Sequence, residues 1–402
     1  MTSDRSHHPD TILAHAGRKP AEFGGVVNTP VVRASTILYP DVEAYRASRS
    51  IKFGSLRYGR YGTQTAMALV EAMTELEGGD GAVLHPSGLA AIAMTLRALL
   101  SPGDHLLVVD SVYAPTRAFC DGQLAMQGIE VSYYDPALGA DIAGLFKPNT
   151  RVVFAESPGS LTFDMQDMPA LSSACRPREI ALVVDGTWAT PLFCKPLSLG
   201  ADVVVHSATK YIVGHSDAML GVAVARDPWR LKLEKFAALN GIIAGPDDCW
   251  LALRGLRSMG ARLRQHQDCA MGLSSWLGVH PAVRRILYPA HRSHPGHPIW
   301  RRDFTGASGL FGVELVPCDP GAVDRFIDAL TLFGIGSSWG GYESLVLPAS
   351  PMRTVGGKTF EGPLVRLHAG LEHPDDLIAD LEQALAQLDS TTRQGQENHH
   401  GK

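Results

Sequence analysis

Residues 202–219 read DVVVHSATKYIVGHSDAM and join a run of valines to a polar loop that contains Lys210. Short, uninterrupted apolar runs such as Val203–Val205 are typical of strands that helices cover on both faces. Only nine of the 36 basic residues are lysines, and this one follows directly on such a run. Lys210 therefore marks a candidate site at the end of a buried strand.

Six further apolar runs alternate with longer helical patterns, which predicts a doubly wound α/β fold with a mainly parallel, seven-stranded sheet. They are Ala82–Leu84, His105–Val109, Val131–Tyr134, Arg151–Ala155, Ala181–Val184 and Leu220–Ala225. Ligands of such sheets bind beyond the carboxyl ends of the strands. Topology alone therefore selects the polar residues that end four of the runs, namely Asp110, Glu156, Asp185 and Ser207.

Beyond Arg226 the pattern changes to long helices and then to a second group of strands. The helices are predicted over Leu231–Leu239, Asp248–Leu277, Asp324–Leu330 and Pro374–Leu388, and the strands over Gly309–Val316, Gly334–Ser338, Ser344–Leu347 and Leu364–His368. We predict four parts. They are an N-terminal arm (1–58), a large domain (59–255), a smaller C-terminal α+β domain (256–389) and a disordered tail (390–402).

Composition excludes several classes of function. The net charge of −5 provides no basic excess for nucleic acid. The six cysteines form no C-x-x-C pair, and the histidines show no ligand spacing, so we expect neither a metal site nor a disulfide framework. No apolar stretch reaches membrane-spanning length, and the N-terminus lacks an apolar signal region. We expect a cytoplasmic protein that acts on a small molecule.

The residues around Lys210 suit pyridoxal 5'-phosphate, which needs a Schiff-base lysine, phosphate donors and an acid for its pyridinium nitrogen. Hydroxyls at Ser207 and Thr209 could hold the phosphate, and Asp185 could supply the acid. Taken singly, Lys210 could be a solvated lysine and Asp185 a helix-capping residue.

Three other features are candidates for the same site. Gly88 and Leu89 open a helix where backbone N–H groups can bind an anion, although a plain helix cap is the alternative. Tyr113 could stack on a planar ring or simply pack. Arg366 lies in an apolar strand and needs a carboxylate, either from a substrate or from a structural ion pair.

From about residue 10 to 388 the chain resembles the Cys/Met-metabolism family of pyridoxal-phosphate enzymes. The segments that carry the resemblance are Tyr58-Gly-Arg60, Pro86-Ser-Gly88, Asp185-Gly-Thr-Trp188, Ser207 to Ala218, Ser338-Trp-Gly-Gly-Tyr-Glu-Ser344 and Arg366-Leu-His368. The resemblance implies fold type I, with Lys210 as the Schiff-base lysine, Asp185 on the pyridinium nitrogen and Tyr113 on the ring. It also implies that Ser207, Thr209 and the backbone at Gly88 and Leu89 hold the phosphate.

The resemblance further implies a shared active site and a reaction. Tyr58 and Arg60 would reach the phosphate of a neighbouring subunit, within a homotetramer built from dimers. Arg366 would clamp the substrate α-carboxylate, with Ser338 and Trp339 beside it. The implied reaction is β-elimination from an amino-acid thioether, which for L-cystathionine yields L-homocysteine, pyruvate and ammonia for methionine biosynthesis.

Some residues leave the substrate open. Family members that act at Cγ commonly read Glu-Ser-Leu-Gly-Gly where this chain reads Ser337-Ser-Trp-Gly-Gly341, which favours β-chemistry. Gly186 stands where Asn is usual, Tyr61 where Arg is frequent and Gln64 where Pro is frequent. The alternatives are a cysteine-S-conjugate β-lyase or desulfhydrase, a γ-lyase, a γ-synthase, and a cofactor-binding protein without catalysis.

Overall fold

The computed structural model describes residues 7–48, 56–355 and 359–397. Its strands are β1 (Gly81–His85), β2 (His105–Val109), β3 (Glu130–Tyr134), β4 (Thr150–Glu156), β5 (Ala181–Asp185), β6 (Val203–Ser207), β7 (Gly221–Ala225), β8 (Val283–Leu287), β9 (Leu310–Leu315), β10 (Gly334–Ile335), β11 (Leu345–Ala349) and β12 (Leu364–His368). Its α-helices are α1 (Pro9–His15), α2 (Val42–Ser48), α3 (Gln64–Glu77), α4 (Gly88–Leu99), α5 (Ala114–Phe119), α6 (Met168–Cys175), α7 (Thr190–Phe193), α8 (Trp229–Asn240), α9 (Pro246–Leu277), α10 (His297–Asp303), α11 (Pro320–Asp328) and α12 (Pro374–Glu397).

The large sheet has the strand order β1-β7-β6-β5-β4-β2-β3. Strand β7 runs antiparallel to both of its neighbours, and the other pairs are parallel. The prediction of a mainly parallel, seven-stranded sheet is therefore confirmed. Its central strands are buried over most of their length, with Phe154, Val183 and Val204 fully inaccessible to solvent. Such strands need continuous apolar runs because helices cover both faces.

The smaller sheet has the order β10-β11-β12-β9-β8. Its edge strand β8 was not predicted, because Arg284 and Arg285 interrupt its apolar run. The structure explains this departure: the Arg285 Nε donates to Glu314 Oε2 on β9 at 2.8 Å. The carboxylate of Glu314 is itself fully buried, so the arginine provides its counter-charge.

Helix α9, with 32 residues, joins the two sheets, and α12 closes the chain. The predicted end of this helix at Leu388 is wrong, because α12 continues to Glu397 and includes residues 390–397 of the predicted disordered tail. This extension has no apolar periodicity to reveal it, although glutamine and arginine sustain a helical backbone. Residues 398–402 lie outside the described ranges. Within those ranges no helix is both long and apolar enough to span a membrane.

A buried pair fastens helix α3 to strand β6, the strand that leads to Lys210. The Nε2 atom of His206 lies 2.6 Å from Oε1 of Glu77, and both side chains are almost completely buried. A Cβ atom at Gly186 would lie only 2.9 Å from Cε1 of the His206 ring. Glycine at 186 therefore leaves the space that the histidine occupies.

We expect Glu77→Ala to lower the free energy of unfolding by about 3–5 kcal/mol, because it leaves a buried partner unpaired. Glu75→Ala is the matched control, since Glu75 is exposed on the same helix. Chemical denaturation of both variants measures the difference. Equal stability of the two variants would contradict a stabilising role for the pair.

Candidate active site

The side chain of Lys210 lies beyond the carboxyl end of β6 and contacts a loop of the smaller sheet. Its Nζ atom donates to Ser338 Oγ at 2.6 Å and lies 5.2 Å from the centre of the Trp339 ring. Burial and, to a smaller extent, Arg366 lower the pKa of Lys210 to about 8, while Asp185 opposes the shift. A much larger fraction of this amine is therefore neutral and nucleophilic near neutral pH than for an ordinary lysine.

Arg366 extends from β12 beside this amine. Its Nη2 atom donates to the carbonyl oxygens of Gly336 and Ser338, each at 3.0 Å. Among the described residues no carboxylate pairs with this guanidinium, so the structural ion pair considered from sequence does not form there. A half-buried cation without an internal counter-ion is suited to bind an anionic ligand.

Asp185 ends β5, directly beside Glu156 at the end of β4. Its Oδ1 atom accepts from the Thr187 N–H at 2.9 Å. Burial raises the pKa of Asp185, while Thr187, His206 and Lys210 oppose that rise. The carboxylate is thus poorly solvated and is suited to a cationic partner that fits within this pocket.

Thr187 is a functional neighbour that the sequence reasoning missed. Besides donating to Asp185, it accepts the Ser207 N–H on Oγ1 at 2.9 Å. It thereby ties the end of β5 to the end of β6. Its place in the segment Asp185-Gly-Thr-Trp188 was visible in the sequence, but the contact to β6 was not.

Tyr113 lies in the loop after β2, directly before α5, and keeps 45% of its surface exposed. Its N–H donates to Glu156 Oε2 at 2.8 Å, which fixes the loop against β4. Burial of the phenol raises the pKa of Tyr113, with Glu156 and Asp185 adding to the effect and Arg366 opposing it. The structure thus brings Tyr113, Asp185, Arg366 and Lys210 into one electrostatic neighbourhood.

The start of α4 lies against Ser207, at another side of the site. A Cβ atom at Gly88 would lie 2.5 Å from Oγ of Ser207, so only glycine permits this approach. Ser87 caps the helix by accepting the Ala90 N–H at 3.1 Å. The N–H groups of Gly88 and Leu89 have no intrahelical acceptors because they lie in the first turn. These donors and the Ser207 hydroxyl form a cradle suited to a phosphate.

Thr209 has a hydroxyl that already holds the backbone of Leu220. Its Oγ1 atom accepts the Leu220 N–H at 2.9 Å and lies 3.3 Å from the Leu220 carbonyl oxygen. This contact fixes the loop around Lys210. The predicted phosphate contact of Thr209 remains a prediction.

Tyr58 and Arg60 contact other parts of the subunit. Arg60 donates from Nη1 to the Ala238 carbonyl at 2.7 Å and from Nη2 to the Tyr61 hydroxyl at 3.0 Å. Arg57 also lies over the Tyr61 ring, 4.2 Å from its centre. Tyr58 is 45% exposed. The prediction that both residues serve a neighbouring subunit stays a prediction.

His368 is a further residue whose role the sequence did not reveal. Its Nδ1 faces the Glu343 carbonyl at 3.1 Å and must donate, so Nε2 accepts the Gly340 N–H at 3.1 Å. Gly340 has φ +87°, and a Cβ there would lie 2.9 Å from the Tyr211 nitrogen. The buried histidine thus holds the Ser338–Gly340 loop against the backbone of the lysine loop.

Fold and site together define a class of α/β enzyme in which a lysine at the end of a parallel sheet meets an arginine from a second sheet. A comparison with protein families narrows the class. The description "Cys/Met metabolism PLP-dependent enzyme" matches residues 10–386. The chain therefore belongs to this family of fold type I enzymes, and the family resemblance read from the sequence is confirmed.

Individual relatives agree with the family. The chain is 45% identical to a putative cystathionine beta-lyase of Rhizobium johnstonii, over 94% of this chain and 96% of the relative. It is 43% identical to a cystathionine beta-lyase of Salmonella typhimurium, over 94% of this chain and 98% of the relative. The crystal structure of metB from Corynebacterium glutamicum is 31% identical, with a TM-score of 0.87 over 95% of this chain and 99% of that chain.

We expect an amine-directed acylating reagent to modify Lys210 of the cofactor-free protein at a rate that rises with pH and is half-maximal near pH 8. Only the neutral amine reacts, and burial favours that form. Asp185→Asn should shift the midpoint to lower pH and Arg366→Gln to higher pH, because the two charges act in opposite directions. Mass spectrometry of the Lys210 peptide measures the rate. A midpoint near the ordinary lysine value of 10.5 would contradict the burial effect.

Proposed function

We propose that this protein is a pyridoxal-phosphate-dependent carbon–sulfur β-lyase that cleaves L-cystathionine to L-homocysteine, pyruvate and ammonia. The observation that carries the proposal is the position of the Lys210 amine, which contacts Ser338 at 2.6 Å and lies in the fields of Arg366 and Asp185. The relatives named as cystathionine beta-lyases support the same activity.

Asp185 would pair with the pyridinium nitrogen of the cofactor, since it is a buried carboxylate with no basic side chain in direct contact among residues 7–48, 56–355 and 359–397. Tyr113 would lie against the ring. Ser207, Thr209 and the N–H groups of Gly88 and Leu89 would hold the phosphate. When bound, the cofactor supplies an electron sink for the carbanion at Cα, which no side chain of this site could stabilise comparably.

Arg366 would bind the α-carboxylate of the substrate. Its Nη2 donates to the Gly336 and Ser338 carbonyls, which fixes the direction of the guanidinium, and Nε and Nη1 would donate to the substrate carboxylate. Ser338 and Trp339 line the same wall. This arrangement orients the substrate so that its Cα hydrogen faces Lys210.

Lys210 would then move one proton twice. Its neutral Nζ takes the proton from Cα, and Ser338 Oγ holds the resulting ammonium in place. As the Cβ–S bond breaks, the electron pair goes to sulfur, and Lys210 returns the proton to that sulfur. Tyr113 would assist from the opposite wall. Water then releases pyruvate and ammonia from the remaining three-carbon fragment.

The active site would be completed by a second subunit. Tyr58 is exposed and Arg60 is held at the surface by Ala238 and Tyr61, so both could meet another copy of the chain. We propose that they reach the phosphate of the neighbouring site, within a homotetramer built from dimers. Analytical ultracentrifugation tests this assembly.

The purified holoenzyme should release pyruvate and L-homocysteine in equal amounts from L-cystathionine. Lys210→Ala should release neither product and should lack the visible absorption band of covalently bound pyridoxal phosphate. Lys232→Ala, at an exposed lysine of α8, is the matched control and should behave as the wild type.

A panel of cystathionine, cystine, cysteine and methionine separates the related activities. Formation of 2-oxobutyrate and cysteine from cystathionine would instead identify a γ-lyase. Turnover that requires a second thiol substrate would identify a γ-synthase. Preference for cystine or cysteine over cystathionine would identify a broader β-lyase or a desulfhydrase.

Arg366→Ala should mainly raise KM, because the loss of a charged, bidentate contact costs about 2–5 kcal/mol. Arg366→Lys keeps the charge without the planar fork and should give an intermediate KM. Steady-state kinetics with L-cystathionine measures both variants. A KM that is unchanged in Arg366→Ala would reject the carboxylate-binding role.

A further inference from the structure

A dense set of hydrogen bonds joins the two sheets at the end of β2. Its centre is the Asp110 carboxylate, which is fully buried three residues before Tyr113. It accepts from Arg117 Nη2 at 2.7 Å, from Thr354 Oγ1 at 2.7 Å and from the N–H groups of Thr354 and Val355 at 2.9 and 3.0 Å. We refer to Asp110, Arg117, Arg353, Thr354 and Val355 as the polar clip.

The polar clip crosses from one sheet to the other. Arg353, Thr354 and Val355 lie in the loop that joins β11 to β12, and β12 carries Arg366. Arg353 donates from Nη1 to the Asp110 carbonyl at 2.7 Å and from Nη2 to Asp164 Oδ2 at 3.1 Å. The hairpin that presents Arg366 is thereby fastened to the loops that follow β2 and β4.

The charge at the centre of the clip makes these contacts strong. Burial alone would raise the pKa of Asp110, but hydrogen bonds from Val355, Thr354 and Arg117 outweigh it and hold the pKa below its ordinary value. The carboxylate therefore stays ionised at neutral pH. Hydrogen bonds to a buried, ionised carboxylate are stronger than those between neutral groups.

We propose that the polar clip positions Tyr113 relative to Arg366, and that Thr354 is a positioning residue for the reaction. This inference rests on the proposed function, because it assigns Arg366 to the substrate carboxylate. Neither Thr354 nor Asp110 needs to touch the substrate. Loosening the clip would let the β11–β12 hairpin move away from the loop that carries Tyr113, which would weaken substrate binding more than the chemical step.

Thr354→Val is the sharpest test, because it replaces the hydroxyl with a methyl group of nearly the same shape. The side chain of Thr354 is exposed, so the change leaves no cavity in the core. We expect KM for L-cystathionine to rise roughly tenfold, because the hydroxyl donates to the charged Asp110 carboxylate and also accepts a longer bond from Arg117 Nη1 at 3.4 Å. The value of kcat should stay within about twofold, since the residues at the reacting atoms are unchanged.

Three companion variants complete the design. Thr354→Ser keeps a hydroxyl and should restore the wild-type KM. Thr305→Val is the matched control, since Thr305 is an exposed threonine whose hydroxyl contacts the Leu192 carbonyl outside the clip. Arg353→Gln removes the other anchor of the hairpin and should reproduce the rise in KM. Thermal unfolding checks that each variant keeps its fold.

Hydrogen exchange of residues 350–355 provides a readout that does not depend on activity. Exchange should be faster in Thr354→Val than in the wild type and in Thr354→Ser. A wild-type KM in Thr354→Val, or a fall in kcat with KM unchanged, would overturn the positioning role. Unchanged exchange would overturn the clip itself. If the wild type released no pyruvate from cystathionine, the proposed function would fail, whereas the exchange measurement would still decide whether the clip holds the hairpin.

Discussion

The burial of the Lys210 amine away from water is the constraint on which the rest of this site depends. An amine removed from water favours its neutral form, and here that preference lowers the pKa to about 8. Among the residues that the structure describes, no carboxylate contacts Nζ, and its hydrogen-bond partner is the Ser338 hydroxyl at 2.6 Å. Ser338 belongs to a loop of the smaller sheet. The contact of the Lys210 amine with this hydroxyl therefore requires the two sheets to keep a fixed position relative to each other.

Backbone segments approach each other closely around Lys210, and glycines make these close contacts possible. Gly88 lets the start of α4 reach Ser207, and Gly340 lets the Ser338 loop lie on the backbone of the lysine loop. Hydrogen bonds stabilise this arrangement. Thr187 links the ends of β5 and β6, and His368 accepts the Gly340 N–H in the loop that carries Ser338. The polar clip around Asp110 adds a third tie, between the two sheets.

The sequence predicted the elements that have a local pattern of apolar residues. It missed the elements and residues that are stabilised by partners distant in the chain. All seven strands of the large sheet were found, because strands buried on both faces require continuous apolar runs. Strand β8 was missed, since Arg285 is explained only by Glu314 on another strand. Polar residues at strand ends pointed to Asp185 and Ser207. His368 and Thr354 could not be given roles from sequence, because their partners are Gly340 and Asp110, distant in the chain.

The structure also separates two departures from the family pattern. Residue 186 lies opposite His206, and a side chain there would meet the His206 ring and Val204. Since side chains alternate along a strand, position 186 faces away from the side to which Asp185 points. Gly186 therefore leaves room for the Glu77–His206 pair. Tyr61 differs, because it gathers Arg57 and Arg60 around its ring at 4.2 and 4.4 Å. Of these two residues, Tyr61 is the one that contacts Arg60, which we propose to reach a neighbouring phosphate.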